Sequence, residues 1–163
     1  MAVTIELDRP PLLPDAFTRA DLEFRGVDHS GPSFEARVFL NNKRAGAGTA
    51  TDPAGGYAGS FYVFGHGGCF GELGHCDIPV GPRGPFDKRL PHPLTPQFKT
   101  VIVTDALRRL LQASDDKKVR VTVVPVVPES QVSSTAKDVD PLKFESVSLI
   151  TYEGGPSEDV SRP

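Results

Sequence analysis

Apolar and polar residues alternate along this chain in short runs, and the runs have the length of strands. Leu22, Phe24 and Val27 form an extended segment that begins at Asp21 and closes in the turn-forming string Asp28-His29-Ser30-Gly31-Pro32. Phe34, Ala36, Val38 and Leu40 then alternate with Glu35, Arg37 and Phe39, the period of two that sends successive side chains to opposite faces. Residues 57–64 (YAGSFYVF) are dense in types that favour a pleated, half-buried surface. Residues 98–103 (FKTVIV), 119–127 (VRVTVVPVV) and 144–152 (FESVSLITY) predict three further strands. In one place the period lengthens. Leu107, Leu110 and Leu111 stand at i, i+3 and i+4, which predicts a short helix over 105–112 with a single buried stripe. Thr104 is its expected N-cap, and Asp105 sits near the positive end of the helix dipole.

Six to eight short strands and one helix predict an all-β fold, an antiparallel β-sandwich with Greek-key or jelly-roll-like connections; a closed barrel is the competing arrangement. The chain divides into a Pro-rich N-terminal arm (1–20), the sandwich domain (21–153) and a flexible tail (154–163). Pro10, Pro11 and Pro14 punctuate the arm and block helix and central strand alike. Residues 41–56 and 129–140 read as loops. The stretch 65–96 is rich in Gly, Pro, His and Cys, and a connection of that length is more often functional than incidental.

Composition narrows the class. With 163 residues, 38% of them hydrophobic, the chain suffices for one domain with its own core. A net charge of −3 argues against nucleic acid as a partner, because phosphate binding needs a basic face. No apolar run approaches the ~20 residues of a membrane-spanning helix. Glu6 and Asp8 fall where the apolar stretch of a secretory signal would lie, and there are two cysteines. The expected compartment is therefore cytoplasmic, with export alongside a partner left open.

Candidate chemistry concentrates in His66-Gly67-Gly68-Cys69-Phe70-Gly71-Glu72-Leu73-Gly74-His75-Cys76. Imidazole and thiolate together select Cu(I) or Zn²⁺, so His66, Cys69, His75 and Cys76 are the candidate metal ligands. Their H-x2-C-x5-H-C spacing is not that of a zinc finger, and neighbouring His75 and Cys76 cannot both face one ion from a strand. A Cys69–Cys76 disulfide, or two buried thiols with histidines bonded to loop carbonyls, accounts for the residues equally well. A blue-copper set is disfavoured because the single methionine is Met1. His92, between Pro91 and Pro93, is a distant further ligand or a loop anchor. Cys69 with His66 or His75 lacks an orienting third group for nucleophilic catalysis. The chain carries no G-x-S-x-G elbow, P-loop or dinucleotide fingerprint, so no enzymatic activity is expected.

Four segments come in a telling order: Arg37-Val38-Phe39-Leu40-Asn41-Asn42, Tyr57-Ala58-Gly59-Ser60-Phe61, Val101-Ile102-Val103-Thr104-Asp105-Ala106-Leu107 and Val121-Thr122-Val123-Val124-Pro125. In that order they resemble the C-terminal β-sandwich (KFDV-type) domain of polyphenol oxidases and tyrosinases, and more distantly the C-terminal β-domain of mollusc haemocyanin. A literal K-F-D-V is absent, and the 65–96 stretch has no counterpart in the plant domain. The resemblance implies a non-catalytic module whose partner is the catalytic domain of a tyrosinase-like copper oxidase, which it shields or stabilises. In that family the six copper-binding histidines lie in a separate helical domain, whereas this chain has only His29, His66, His75 and His92. The family's domain can place a bulky side chain into the substrate pocket, and Phe70, flanked by glycines, is the residue here for that role; packing beneath its own loop is the alternative. Copper delivery, as proposed for some fungal C-terminal domains, would fall to Cys69, Cys76, His66 and His75.

Overall fold

In a computed structural model, which describes residues 1–65, 85–86, 95–128 and 140–153, the strands pack as two antiparallel sheets. The elements in chain order are β1 (Val3–Asp8), β2 (Arg19–Val27), β3 (Phe34–Leu40), a 3₁₀ turn (Pro53–Gly55), β4 (Tyr57–Val63), β5 (Gln97–Ile102), α1 (Thr104–Ala113), β6 (Lys118–Val126) and β7 (Ser146–Tyr152). One sheet runs β1-β6-β3-β4 and the other β5-β2-β7. Among the described strands only β3 and β4 are consecutive neighbours; every other connection crosses between sheets. The result is the antiparallel sandwich that the alternation predicts, with seven strands and one α-helix among the described residues.

The core follows from the alternation. Leu22 and Phe24 of β2, Ala36 and Val38 of β3, and Val119, Val121 and Val123 of β6 turn inward and are fully buried. Phe24 sits at the centre, 4.8 Å from the Phe61 ring and edge-on to Phe144 at 5.5 Å. At one end Leu107, Leu110 and Leu111 of α1 close the sandwich like a plug.

Three elements depart from the sequence reading. Within the Pro-rich arm, Val3–Asp8 is an edge strand paired with β6. Its own alternation explains it: Val3, Ile5 and Leu7 are half-buried, while Glu6 and Asp8 face Arg120 and Lys118 directly across the ladder, at 3.0 and 2.7 Å. The prolines begin two residues later and end the strand without preventing it. Secondly, Thr104 does not cap α1. Val103 occupies the N-cap with no side-chain hydrogen bond, and the Thr104 hydroxyl accepts from the Ala20 N–H at 3.0 Å. Tertiary pairing of the β5–α1 junction with β2 takes the group that a cap would have used. Thirdly, Phe39 and Val124 point away from the main core yet are buried, because the 41–56 loop folds over that outer face with Ala45, and Tyr57 at the start of β4 packs beside them.

The two sheets are closest along β4 and β5. There Gly59 has φ 145°, and a Cβ on it would lie 2.7 Å from Val101 Cγ1. The register slips beside it, from Val38 opposite Gly59 to Phe39 opposite Tyr57, leaving Ala58 out of the ladder. The glycine of the A-G-S-F motif is thus the residue that lets the sheets meet.

Candidate functional site

The Cys/His-rich segment leaves β4 through Gly65 and returns to β5 through Thr95, and both stems are fastened to the β2–β3 turn. Asp28 Oδ1 accepts from the Ser30 N–H at 2.8 Å, which sets the turn. The backbone hydrogen bond from Ser30, aided by Lys143, holds the Asp28 carboxyl below its ordinary value of 3.8 against a smaller opposing effect of burial. His29, 8% exposed, donates from Nε2 to the Thr95 carbonyl at 3.0 Å. Ser33 Oγ accepts from the Gly65 N–H at 3.0 Å, and the backbone of Gly31 and Pro32 leaves no space for a side chain at Gly65.

His66, Cys69, Phe70, His75, Cys76 and His92 lie outside the described residues. Among the described residues, no group of three or more His, Cys, Asp or Glu is placed to hold a metal ion. Within this segment Phe86 is described, and it is 91% exposed. The sequence reading passed it over, although Gly84 and Pro85 precede it as glycines flank Phe70 in the sequence. It also passed over the anchoring part of His29, which depends on a residue 66 positions away.

The opposite end carries a cleft. Two arginines knit the 9–17 connection to α1. Arg9 donates to the carbonyls of Ser114 and, at 3.1 Å, Leu111, putting a cation on the negative helix end where α1 has no basic residue of its own. Arg108 donates to the Pro14 and Phe17 carbonyls and lies over the Phe17 ring, 5.4 Å from its centre. Between α1 and the 3₁₀ turn a cavity of about 220 Å³ is walled by Leu40, Pro53, Tyr57, Ala106 and Leu110, with Arg109 at its rim. A neighbouring hollow shares Pro53, Tyr57, Ala106 and Arg109 and extends to Ile102 and Asp105. The lining combines this apolar surface with the polar groups of Asn41, Thr104, Asp105, Arg109 and Ser114. Among the described residues no helix is long and apolar enough to cross a membrane.

No family model and no curated protein matches the sequence. The fold, however, is similar to solved structures of latent aurone synthase, a polyphenol oxidase. For the recombinantly expressed enzyme the TM-score is 0.51 at 16% identity, over 93% of this chain and 24% of that one. For the enzyme from natural source it is 0.50 at 15% identity, over 94% and 24%. This chain therefore spans about a quarter of the length of its structural neighbours and has the fold of a small part of them. The resemblance carried by the four ordered segments holds at the level of fold.

Proposed function

We propose that this chain is a non-catalytic β-sandwich module that packs against the catalytic domain of a tyrosinase-like, type-3 copper oxidase and shields or stabilises it. The observation that carries this reading is the asymmetry of coverage: nearly all of this chain matches about one quarter of each polyphenol oxidase chain. What it matches has the size of one domain, and those enzymes are described as latent, the property a covering domain would confer. The histidines agree with the reading. A type-3 pair takes six; this chain has four, and His29 is committed to the Thr95 carbonyl.

The test is to add the purified chain to the isolated, active catalytic domain of a type-3 copper oxidase from the same organism. Co-elution on gel filtration and a saturable fall in diphenol oxidation are expected. Separate elution with unchanged oxidation would overturn the reading, and diphenol oxidation by the chain alone would overturn its non-catalytic part.

A further inference from the structure

The cavity between α1 and the 3₁₀ turn has fixed walls. Leu40, Ala106 and Leu110 line it and belong to the buried core. The side formed by the 3₁₀ turn is pinned to the end of β3. There the Leu40 N–H donates to the Gly56 carbonyl at 2.8 Å, and Asn42 Nδ2 donates to the Gly55 carbonyl at 2.7 Å. Tyr57 stands edge-on to Phe39 at 5.6 Å, and its hydroxyl donates to Ser60 Oγ at 3.3 Å. A space held open in this way needs little ordering when a ligand enters, which lowers the cost of binding.

The polar groups on the cavity have a definite sign. Elsewhere the arginines are spoken for: Arg9, Arg19, Arg25, Arg37, Arg108 and Arg120 each donate to a carbonyl or a carboxylate. Arg109 lines the cavity and has no bonded partner among the described residues. Asn41 supplies a second donor. Its Oδ1 accepts from the Arg120 N–H at 2.9 Å, which leaves Nδ2 unused among the described residues. Ser114 Oγ is engaged by the Asp116 N–H at 3.0 Å. No Asp or Glu is among the described residues that line this cavity. Asp105 lines the neighbouring hollow, with its carboxylate 3.6 Å from Arg108.

Apolar walls with unused donors and no carboxylate select an anion that has an apolar body. A single planar guanidinium matches a single carboxylate. Size sets the body. The cavity holds about 220 Å³, against roughly 150 Å³ for an apolar cavity that takes benzene, so one ring fits and a nucleotide or peptide does not. Pro53 and Tyr57 offer flat faces to such a ring. We propose that this cavity binds a small aromatic carboxylate, with its ring against Tyr57, Ala106 and Leu110 and its carboxylate on Arg109 and Asn41 Nδ2. The site goes beyond the shielding function and does not depend on it.

The experiment titrates benzoate into the purified chain and follows backbone amide shifts by NMR. Benzamide keeps the ring and loses the charge, whereas acetate keeps the charge and loses the ring. Arg109→Gln removes the guanidinium. Arg44→Gln is the matched control, because Arg44 is also exposed and its side chain has no bonded partner among the described residues, yet it does not line the cavity. Thermal unfolding establishes that both variants are folded, and the benzamide comparison needs no variant. Saturable shifts are expected at Gly56, Ala106 and Leu110. Benzamide, acetate and Arg109→Gln should each weaken binding tenfold or more, with Arg44→Gln like wild type. Equal affinity for benzoate and benzamide, or in wild type and Arg109→Gln, would overturn the anion site. Acetate binding as tightly as benzoate would overturn the part given to the apolar walls. Saturation elsewhere in the sandwich, or none in wild type, would overturn the cavity as a site and leave the proposed function standing.

Discussion

Gly59 is where one residue controls the spacing of the sheets. An alanine there would need a φ of 145°, which side chains rarely adopt, and would press its Cβ onto Val101. Gly59→Ala is expected to cost on the order of 1–3 kcal/mol, measured by urea unfolding; an unchanged midpoint would mean that β5 can retreat freely. Asp28 makes a second prediction at this scale. Its carboxyl is held below the ordinary value of 3.8, chiefly by the Ser30 N–H. A depressed folded value contributes stability that is present above the unfolded pKa and lost as pH falls through the folded one. Asp28→Asn should therefore remove part of the pH dependence of stability below about pH 4. A variant whose acid limb superimposes on that of wild type would show that the turn does not depend on the charge.

Among the elements, α1 and β1 depend on groups supplied from far along the chain. α1 ends with no basic residue in its last turn, and Arg9, across a sequence separation of more than 100 residues, serves the terminal carbonyls instead. Arg9→Ala leaves those carbonyls to water and should destabilise by about 1–2 kcal/mol. Hydrogen exchange should quicken in the last turn of α1 and in the 9–17 connection while β3 and β6 stay protected; uniform quickening would argue against local capping. The same interdependence marks what could be read from the sequence. β3 was legible to the residue, because Phe34, Ala36, Val38 and Leu40 alternate without interruption. The stripe of Leu107, Leu110 and Leu111 was equally legible. The β1 alternation was present too, but its pairing is read only once Glu6 and Asp8 are seen against Arg120 and Lys118. Thr104 has the type of a cap and the position of a cap, yet Ala20 takes its hydroxyl. Local chemistry proposed a partner there, and a distant strand provided a different one.

At the scale of the molecule, the described core is closed by side-chain packing around Phe24 and its ring neighbours. EDTA is expected to leave the thermal midpoint within a degree or so of its starting value, about the change that a few tenths of a kcal/mol would produce. A fall of several degrees would mean that metal belongs to the fold. Elemental analysis with thiol titration addresses the segment itself. About one equivalent of copper or zinc, lost in Cys69→Ser with Cys76→Ser, is the result that would establish a site there and favour the metal-binding role. The sequence alone determined the class of fold, because a period of two over six to nine residues can bury one face only in a sheet packed on another layer. It also carried the resemblance to a polyphenol oxidase domain, which the fold bears out. The tertiary structure decided that the 41–56 loop covers the outer face of the four-stranded sheet, that both stems of the Cys/His segment are tied to one turn, and that the charges along β2 pair with one another. Those outcomes are set by residues brought together across the whole chain, and side-chain alternation along a single strand carries no information about what lies above it.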